Sequence, residues 1–201
     1  MSPTDDAASI STRRARAAAA GHTGDVAAAQ ESVHDDDVSV RLLGLSALAR
    51  LHELDPDTLT GALADPDPLI RRRAAELAAA DASVDLGDVL LDTDPRVVEM
   101  AAWAVGERPH DEDDHRRLVE IVTGHDDALC REAAVAALGS VGHPDGRAVI
   151  LAALDDIATV RRRAVVALAP FDGADIDAAL HRATDDRDWQ VRQAAEDQLE
   201  G

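Results

Sequence analysis

The sequence predicts an all-α fold, a right-handed α-solenoid of about six helix pairs, and three observations lead to this prediction. The chain is rich in Ala (41 of 201 residues) and has only three aromatic residues other than His (Trp103, Trp189 and Phe171). This composition suits closely packed helices, because Ala is the best helix former and leaves room for a neighbouring backbone. No segment shows the apolar–polar alternation of β-branched and aromatic residues that strands prefer. A helical pattern of about thirty residues also recurs six times.

The recurring pattern aligns six segments on one reference residue each, which we call position zero. The reference residues are Arg41, Arg71, Val98, Arg131, Arg161 and Arg192, at spacings of 30, 27, 33, 30 and 31 residues. In every segment the residue before zero is apolar, the third after zero is Gly or Ala, and the seventh is apolar. Offsets of −1, +3 and +7 lie on one face of an α-helix. Each segment therefore contains a helix with a buried face, and its small +3 residue lets a neighbouring helix approach.

Aspartates mark where these helices begin. Asp37, Asp67, Asp94, Asp127 and Asp188 lie four residues before zero, and in the fifth segment Asp156 lies one residue earlier. An Asp at the N-cap accepts hydrogen bonds from the first free backbone N–H groups. Pro68 and Pro95 follow their Asp directly, at the first helical position, where Pro is favoured. A second Asp recurs six residues before zero, at Asp35, Asp65, Asp92, Asp155 and Asp186.

Shorter helices are expected between the longer ones, at about residues 24–33, 56–64, 85–91, 112–123, 144–154 and 175–183. One helix pair cannot bury its own apolar face, so neighbouring pairs must stack to form a continuous core. We expect a disordered tail over residues 1–11 and a single solenoid domain over 12–200, which begins with a capping helix over 12–23. The six repeats cover about residues 24–52, 53–81, 82–108, 109–141, 142–170 and 171–200.

The repeat resembles a known family. Residues 94–106 (DPRVVEMAAWAVG) and 130–139 (CREAAVAALG) are similar to HEAT repeats, in particular to the short repeats of phycobilisome lyases. The resemblance covers about residues 24–200. It implies a curved solenoid whose longer, inner helices line a concave binding surface, as in scaffolds, adaptors and a few enzymes. Val98 departs from the Arg of the motif, and Ala78 stands where Leu is usual.

The charge of the chain is strongly negative. Thirty Asp and ten Glu oppose twenty Arg, with no Lys, which gives a net charge of −20. Self-repulsion of this size is tolerable where salt shortens the Debye length to roughly 3 Å, at about 1 M. The composition resembles that of cytosolic proteins from salt-adapted microbes; codon bias in a GC-rich genome is the alternative. A single cysteine, no signal-peptide pattern and no long apolar stretch favour a cytoplasmic protein without a membrane span.

The arginines at position zero allow two interpretations. Stacked helices would align Arg41, Arg71, Arg131, Arg161 and Arg192 along one edge, where they could bind carboxylates or phosphates of a partner. Alternatively, each Arg pairs with the Asp four residues earlier in its own helix, which is a favourable orientation. Because the Asp recurs with the Arg, the sequence favours this structural role for the arginines and for Asp37, Asp67, Asp94, Asp127 and Asp188.

Two arginine triplets, at residues 71–73 and 161–163, are candidates for partner binding. Three adjacent residues point in different directions around a helix, so they cannot all face one Asp. We therefore predict partner contacts from Arg72, Arg73, Arg162 and Arg163, with Trp189 at a helix start as a further exposed contact. Trp103 is expected among the packed residues. Nucleic acid is disfavoured, because the net charge is −20 and no aromatic residues alternate with the arginines.

Metal or catalytic chemistry has weak support. His110, Asp111, Asp114 and His115 are the weak metal-ligand candidates, but acidic residues also favour a helix start, and this second interpretation fits a single local cluster better. Deoxyhypusine hydroxylase, a helical-repeat iron enzyme, uses several His-Glu pairs, whereas this chain has one, His52-Glu53. No nucleophile elbow or phosphate-binding loop is present. No cofactor is expected.

These observations predict a non-enzymatic interaction scaffold or adaptor that binds another protein on its concave face. The identity of the partner is open, and a monomer is assumed. The alternative is a lyase-like or metal-linked enzyme, or an enzyme-maturation factor, as the resemblance to phycobilisome lyases implies. The absence of converging catalytic residues favours the scaffold.

Overall fold

The structure is a computed structural model that describes residues 3–109 and 111–200, with side chains from residue 9 onward. Within these ranges the chain forms twelve α-helices, two short 3-10 helices and no β-strand. The predicted all-α repeat fold is therefore confirmed. No helix in the described ranges is long and apolar enough to cross a membrane. The chain divides into two compact units, Met1–Val84 and Asp85–Gly201, and the prediction of one domain over residues 12–200 stays a prediction.

Unit 1 contains five helices. They are α1 (Pro3–Thr23), α2 (Val26–Ser32), α3 (Val38–Leu51), α4 (Pro56–Leu63) and α5 (Pro68–Ala78). Helices α1, α3 and α5 follow one another in a row, α2 packs on α1 and α3, and α4 packs on α5. Buried side chains such as Leu45, Leu48, Leu59 and Ile70 fill the space between the row and the shorter helices.

Unit 2 repeats this arrangement with seven helices. They are α6 (Pro95–Gly106), α7 (Glu112–Gly124), α8 (Ala128–Val141), α9 (Gly146–Ala152), α10 (Ala158–Ala167), α11 (Ala174–Ala183) and α12 (Trp189–Glu200). Helices α6, α8, α10 and α12 form the row, and α7, α9 and α11 pack behind it. We call α1, α3, α5, α6, α8, α10 and α12 the inner helices. The remaining helices are the outer helices.

Aspartate caps explain where the inner helices begin. Asp37, Asp67, Asp94 and Asp127 are N-caps, and each accepts a hydrogen bond from the backbone N–H two residues later. The predicted caps are thus observed in α3, α5, α6 and α8. Helix α10 differs, because its N-cap residue is Ile157 and Asp156 bonds only the adjacent N–H. The carboxylate of Asp156 instead forms an ion pair with Arg131 of the preceding repeat.

Small residues allow the helices to approach closely. At position +3, Gly44 faces α2, and a Cβ added there would lie 2.8 Å from the backbone nitrogen of Val33. The alanines at the same position, including Ala74, Ala101, Ala134 and Ala164, are completely buried. Between inner helices, a Cβ at Gly106 would lie 3.0 Å from the Cα of Ala137. The Ala-rich composition therefore serves helix contacts both within and between repeats.

Two predictions about the helices differ from the structure. Helix α1 begins at Pro3, although the sequence analysis expected a disordered tail up to residue 11; a Pro at the first helical position followed by acidic residues is itself a helix-start signal. The predicted helix over 85–91 is wrong, since only Val89–Leu91 forms a 3-10 turn. There, Asp81 and Asp85 accept hydrogen bonds from the N–H groups of Ser83 and Gly87. Such local side-chain bonds compete with a helix.

Candidate functional site

Three position-zero arginines form bidentate ion pairs with an aspartate of the following repeat. All six N–O distances lie between 2.7 and 2.9 Å. The three arginine side chains are only 6–17% exposed. The pairs are Arg41 with Asp65, Arg131 with Asp156, and Arg161 with Asp186. We call them the arginine ladder, and they connect adjacent repeats within each unit.

Each ladder arginine also donates a hydrogen bond to the backbone of the turn before its own helix. Arg161, for example, donates from Nη1 to the backbone carbonyl of Asp156 at 2.8 Å. The same carbonyl contact is made by Arg41, Arg71, Arg131 and Arg192. The ladder aspartates Asp65 and Asp186 in turn accept the backbone N–H two residues later, and Asp156 accepts that of the next residue. One arginine thus fixes two successive turns.

For Arg41 and Arg131, the predicted pairing with the Asp four residues earlier in the same helix is therefore wrong. That Asp is the N-cap, and its carboxylate faces the first turn of the helix. Asp37 accepts from the N–H groups of Ser39 and Val40, and Asp127 accepts from Leu129. The arginine side chain extends instead to the next repeat, where the Asp at position −6, or at −5 before α10, is available.

The sequence contains a signal for this inter-repeat pairing. Position zero is Val98 in α6, although Asp94 is still present four residues earlier. In the following repeat, position −6 is His125 instead of Asp. His125 keeps only the turn-forming role, because its Nδ1 accepts the N–H of Asp127 at 3.0 Å. The repeat that follows Val98 therefore lacks the Asp at position −6, just as α6 lacks the Arg at position zero. This joint loss is expected if the two residues pair across repeats.

Helix α1 belongs to the same ladder, which the sequence analysis missed. Arg13 binds Asp35 with an Nε–Oδ2 distance of 2.8 Å, in the same way that Arg41 binds Asp65. Gly21, eight residues after Arg13, packs on the backbone of α3. Arg13 stands 28 residues before Arg41, so repeat spacing could have identified it. Helix α1 therefore packs as an inner helix.

The ladder changes the acidity of its members. Hydrogen bonds from Arg131 and Arg161 hold the pKa values of Asp156 and Asp186 below the ordinary aspartate value. The same bonds raise the pKa values of the two arginines above their ordinary value. Both partners therefore remain charged at neutral pH. This fits a structural role and leaves little of the ladder for a ligand.

The arginine triplets contribute less free charge than the sequence suggests. Arg162 and Arg163 on α10 both approach Glu132 on α8, at 3.7 and 3.3 Å. Arg73 binds Glu76, three residues later on the same helix, at 2.7 Å. Arg72 is exposed. Of the predicted partner-binding arginines, three are thus engaged by glutamates of their own unit.

An exposed apolar surface lies on the inner helices of unit 2. Trp103 on α6 and Val166 on α10 are 44% and 45% exposed, and both stand five residues after position zero. Between these helices, α8 presents Ala133 and Ala136, which are half-buried. We call the surface bounded by Trp103 and Val166, with these alanines as its floor, the trough. The expectation that Trp103 is packed is wrong, because offset +5 points away from the buried −1, +3, +7 face.

The trough is also where unit 2 lacks aspartate. Helices α6, α8 and α10 contain five Arg, two Glu and no Asp, a net charge of +3. The whole chain carries 40 acidic residues and a net charge of −20. The acidic residues are therefore concentrated in the turns, the outer helices and the ends of the chain. The exposed face of these three inner helices has the mixed apolar and charged character of a protein interface.

Trp189 and Leu199 are two further exposed apolar residues, on α12. Their exposed fractions are 64% and 39%. The prediction that Trp189 is a partner contact stays a prediction. Arg192 and Asp188 near it have structural roles, since they bond to a turn carbonyl and to the N–H of Gln190.

The proposed metal ligands do not form a cluster in the described residues. His110 lies outside those residues, and within them no group of three or more His, Cys, Asp or Glu side chains could hold a metal. Asp111 caps α7 by accepting the N–H of Asp114. The ring of His115 packs edge-on against His143, with 5.0 Å between centroids. Burial, with a smaller effect of the charge on Asp111, raises the pKa of Asp114 above the ordinary value.

Cys130 is a buried residue of α8. Its Sγ lies 3.3 Å from the carbonyl oxygen of Pro95. Burial raises the pKa of its thiol to about 11. The thiol is therefore protonated at neutral pH, as expected for a packing residue and not for a nucleophile.

Comparison with known families identifies the class of the protein. The family model for HEAT repeats matches residues 56–139 and 115–200, which together cover most of the chain. The chain therefore belongs to the HEAT-repeat family. The family defines a helical-repeat architecture and leaves the function to be argued from the surface. No curated protein matches the sequence significantly.

Three solved structures with a similar fold are of engineered or designed proteins. Two crystal structures of engineered proteins from the Northeast Structural Genomics Consortium match with TM-scores of 0.62, at 19% and 20% identity. Each match covers 88% of this chain and at least 95% of the other. A designed armadillo repeat protein in complex with the peptide (KR)4 matches with a TM-score of 0.61 at 16% identity, covering 86% of this chain and 96% of the other. These similarities confirm the fold class.

Proposed function

We propose that this protein is a non-enzymatic interaction scaffold that binds another protein through the trough of unit 2. The observation that carries the proposal is the coincidence of exposed apolar side chains and missing aspartates on α6, α8 and α10. In a chain with a net charge of −20, solvent-facing surface is expected to be acidic. An exposed Trp beside Val and Ala on a nearly Asp-free surface is instead typical of a protein-binding site.

The ladder supports this function by holding the helix row in place. Binding surfaces work best when they are organised before the partner arrives, because less ordering entropy is then lost on binding. Arg131 and Arg161 fix α8 and α10 relative to the turns that follow them. The alanine floor and the Gly106–Ala137 contact hold α6 close to α8. A partner would therefore meet a preformed surface.

The structural relatives are consistent with this proposal. A designed armadillo repeat protein of similar fold is known in complex with a peptide, so a helical-repeat protein of similar fold can bind a peptide. The predicted contacts Arg162 and Arg163 would act at the rim of the trough, where Glu132 already positions them. Arg72, Arg73 and Trp189 are proposed as secondary contacts.

The proposal is tested by affinity capture from native extract in molar KCl, followed by mass spectrometry. Three baits are compared: the wild type, Trp103→Ala and Trp189→Ala. Both tryptophans are exposed, so neither substitution removes a buried core residue. A protein that is lost with Trp103→Ala but is retained, at least in part, with Trp189→Ala supports the trough, because Trp189 is proposed only as a secondary contact. Equal retention by all three baits would show that the partner binds elsewhere.

A further inference from the structure

We infer that the trough recognises a basic, extended segment of its partner, with a Lys or Arg side chain seated on Trp103 beside Glu107 and Glu99. This inference rests on the proposed function and adds the chemistry of the partner. It is carried by the order of side chains along α6 and by the two carboxylates that flank Trp103.

The indole of Trp103 is flanked by carboxylates one turn away on either side. Glu99 precedes it by four residues and Glu107 follows it by four, and Glu107 still has helical backbone angles as the C-cap of α6. Residues four apart are neighbours on a helix surface. Helical side chains lean toward the N-terminus, so Glu107 leans toward Trp103. A cation on the exposed face of the indole would gain from the ring and from the carboxylates together.

The charge immediately beside Trp103 is negative. Within the described residues, neither Glu99 nor Glu107 has a hydrogen bond or an ion pair, whereas Arg162 and Arg163 are both engaged by Glu132. Arg96 lies three residues before Glu99 on the same face. It is eleven residues from Glu107, about 16 Å along the helix axis. Glu107 therefore keeps its charge available beside Trp103, and a cation is the complementary group.

The dimensions of the trough fit an extended chain. Neighbouring helices lie about 8–10 Å apart, so the axes of α6 and α10 are separated by roughly 16–20 Å. Between these helices, α8 presents the half-buried Ala133 and Ala136. An extended segment can lie on this floor with alternate side chains directed toward each wall. One wall then offers Trp103 and its carboxylates. The other offers the apolar Val166, and Arg162, four residues before it, is held by Glu132.

The test measures binding of two synthetic probes to the full chain by fluorescence of Trp103. The probes are an octapeptide of alternating Lys and Arg and an octapeptide of alternating Glu and Asp. The chain has two tryptophans, so Trp189→Phe leaves Trp103 as the sole reporter. The titrations are done at 0.15 M and 1 M KCl, because higher salt screens long-range attraction between any basic peptide and this acidic protein.

A matched pair of variants separates the site from net charge. Glu99→Gln/Glu107→Gln removes two carboxylates eight residues apart on α6. Glu112→Gln/Glu120→Gln removes two carboxylates eight residues apart on α7, an outer helix of the same unit. We expect the basic peptide to bind saturably and the α6 variant to lose about tenfold in affinity. The α7 variant should lose less than about twofold, as expected for distant screened charges.

The contrary outcomes overturn the inference in distinguishable ways. Equal weakening by both variants would mean that the peptide senses only net charge. Preferential binding of the acidic peptide, lost in Arg162→Gln/Arg163→Gln, would give the trough the opposite selectivity and leave the scaffold function intact. If neither peptide binds but capture of the partner still depends on Trp103, the inference of a basic segment is rejected and the scaffold function stands. Capture that does not depend on Trp103 would reject the proposed function as well.

Discussion

Removing one ladder arginine should cost far more stability than removing its exposed neighbour. Arg161 makes two hydrogen bonds to Asp186 and one to the carbonyl of Asp156, at 2.7–2.9 Å. Its side chain is 6% exposed and that of Asp186 is 15% exposed. Truncating one partner of a fully buried pair costs about 3–5 kcal/mol. Because Asp186 can be partly rehydrated, we expect Arg161→Met to lower the free energy of unfolding by about 3 kcal/mol.

Arg162 provides the matched control on the same helix. Its side chain is 41% exposed, and its ion pair with Glu132 has an N–O distance of 3.7 Å. Surface pairs of this kind contribute about 0–1 kcal/mol, so Arg162→Met should change stability by no more than that. Both variants keep the aliphatic stem, so the difference between them reports the charged contacts.

The assay is urea unfolding of the full chain, followed by circular dichroism at 222 nm, with Asp186→Asn completing a double-mutant cycle. If the two side chains stabilise the fold through each other, the coupling energy should be about 2 kcal/mol. Similar costs for Arg161→Met and Arg162→Met, or a coupling energy near zero, would refute the role assigned to the ladder.

Three further predictions follow from the same structure. Ala134→Leu should overpack the contact between inner and outer helices and lower the free energy of unfolding by about 1–3 kcal/mol. Ala136→Leu, on the trough floor two residues later, should leave the melting temperature almost unchanged. Equal effects of the two substitutions would contradict the buried position of Ala134 and the surface position of Ala136. The folded-state pKa of Asp186 is lowered, so the stability that its charge contributes is complete above the unfolded pKa of about 3.9 and is lost as pH falls through the folded value. The difference in stability between wild type and Asp186→Asn should therefore be constant from pH 8 to about pH 4.5 and should shrink below it; a difference that declines already near neutrality would contradict this. Finally, because the chain carries a net charge of −20, the urea midpoint should rise as KCl increases from 0.1 M to 1 M and the Debye length falls from roughly 10 Å to roughly 3 Å; an unchanged midpoint would argue against salt adaptation.

The sequence predicts the helices well because their determinants are local. Caps such as Asp67 and Asp94, the apolar stripe and the small +3 residue all act within one helix pair, so they are visible in a single repeat. The exception, residues 85–91, has apolar residues but also Asp81 and Asp85, whose side chains bind nearby backbone N–H groups. The spacing of apolar residues alone does not reveal that these side-chain hydrogen bonds compete with a helix.

The site depends on contacts between repeats, and these were harder to predict. The partner of Arg41 lies 24 residues away, and a closer Asp in the same helix gave a plausible but wrong assignment. The combination of Val98 with His125 could have decided between the two partners. The expectation that Trp103 is packed conflicts with its offset of +5, which lies opposite the buried stripe and predicts exposure. The engagement of Arg162 and Arg163 by Glu132 has no such signal, since it depends on side-chain conformations across two helices.

The most direct test of the central claim is a site-specific photo-crosslink from the floor of the trough. A benzophenone amino acid is placed at Ala136 on α8 or at exposed Ala178 on the outer helix α11, and native extract is irradiated in molar KCl. We predict that one protein crosslinks at position 136, is absent at position 178, and disappears when Trp103→Ala is added. Crosslinks only at position 178, or equal crosslinking at both positions, would contradict the assignment of the trough as the binding surface.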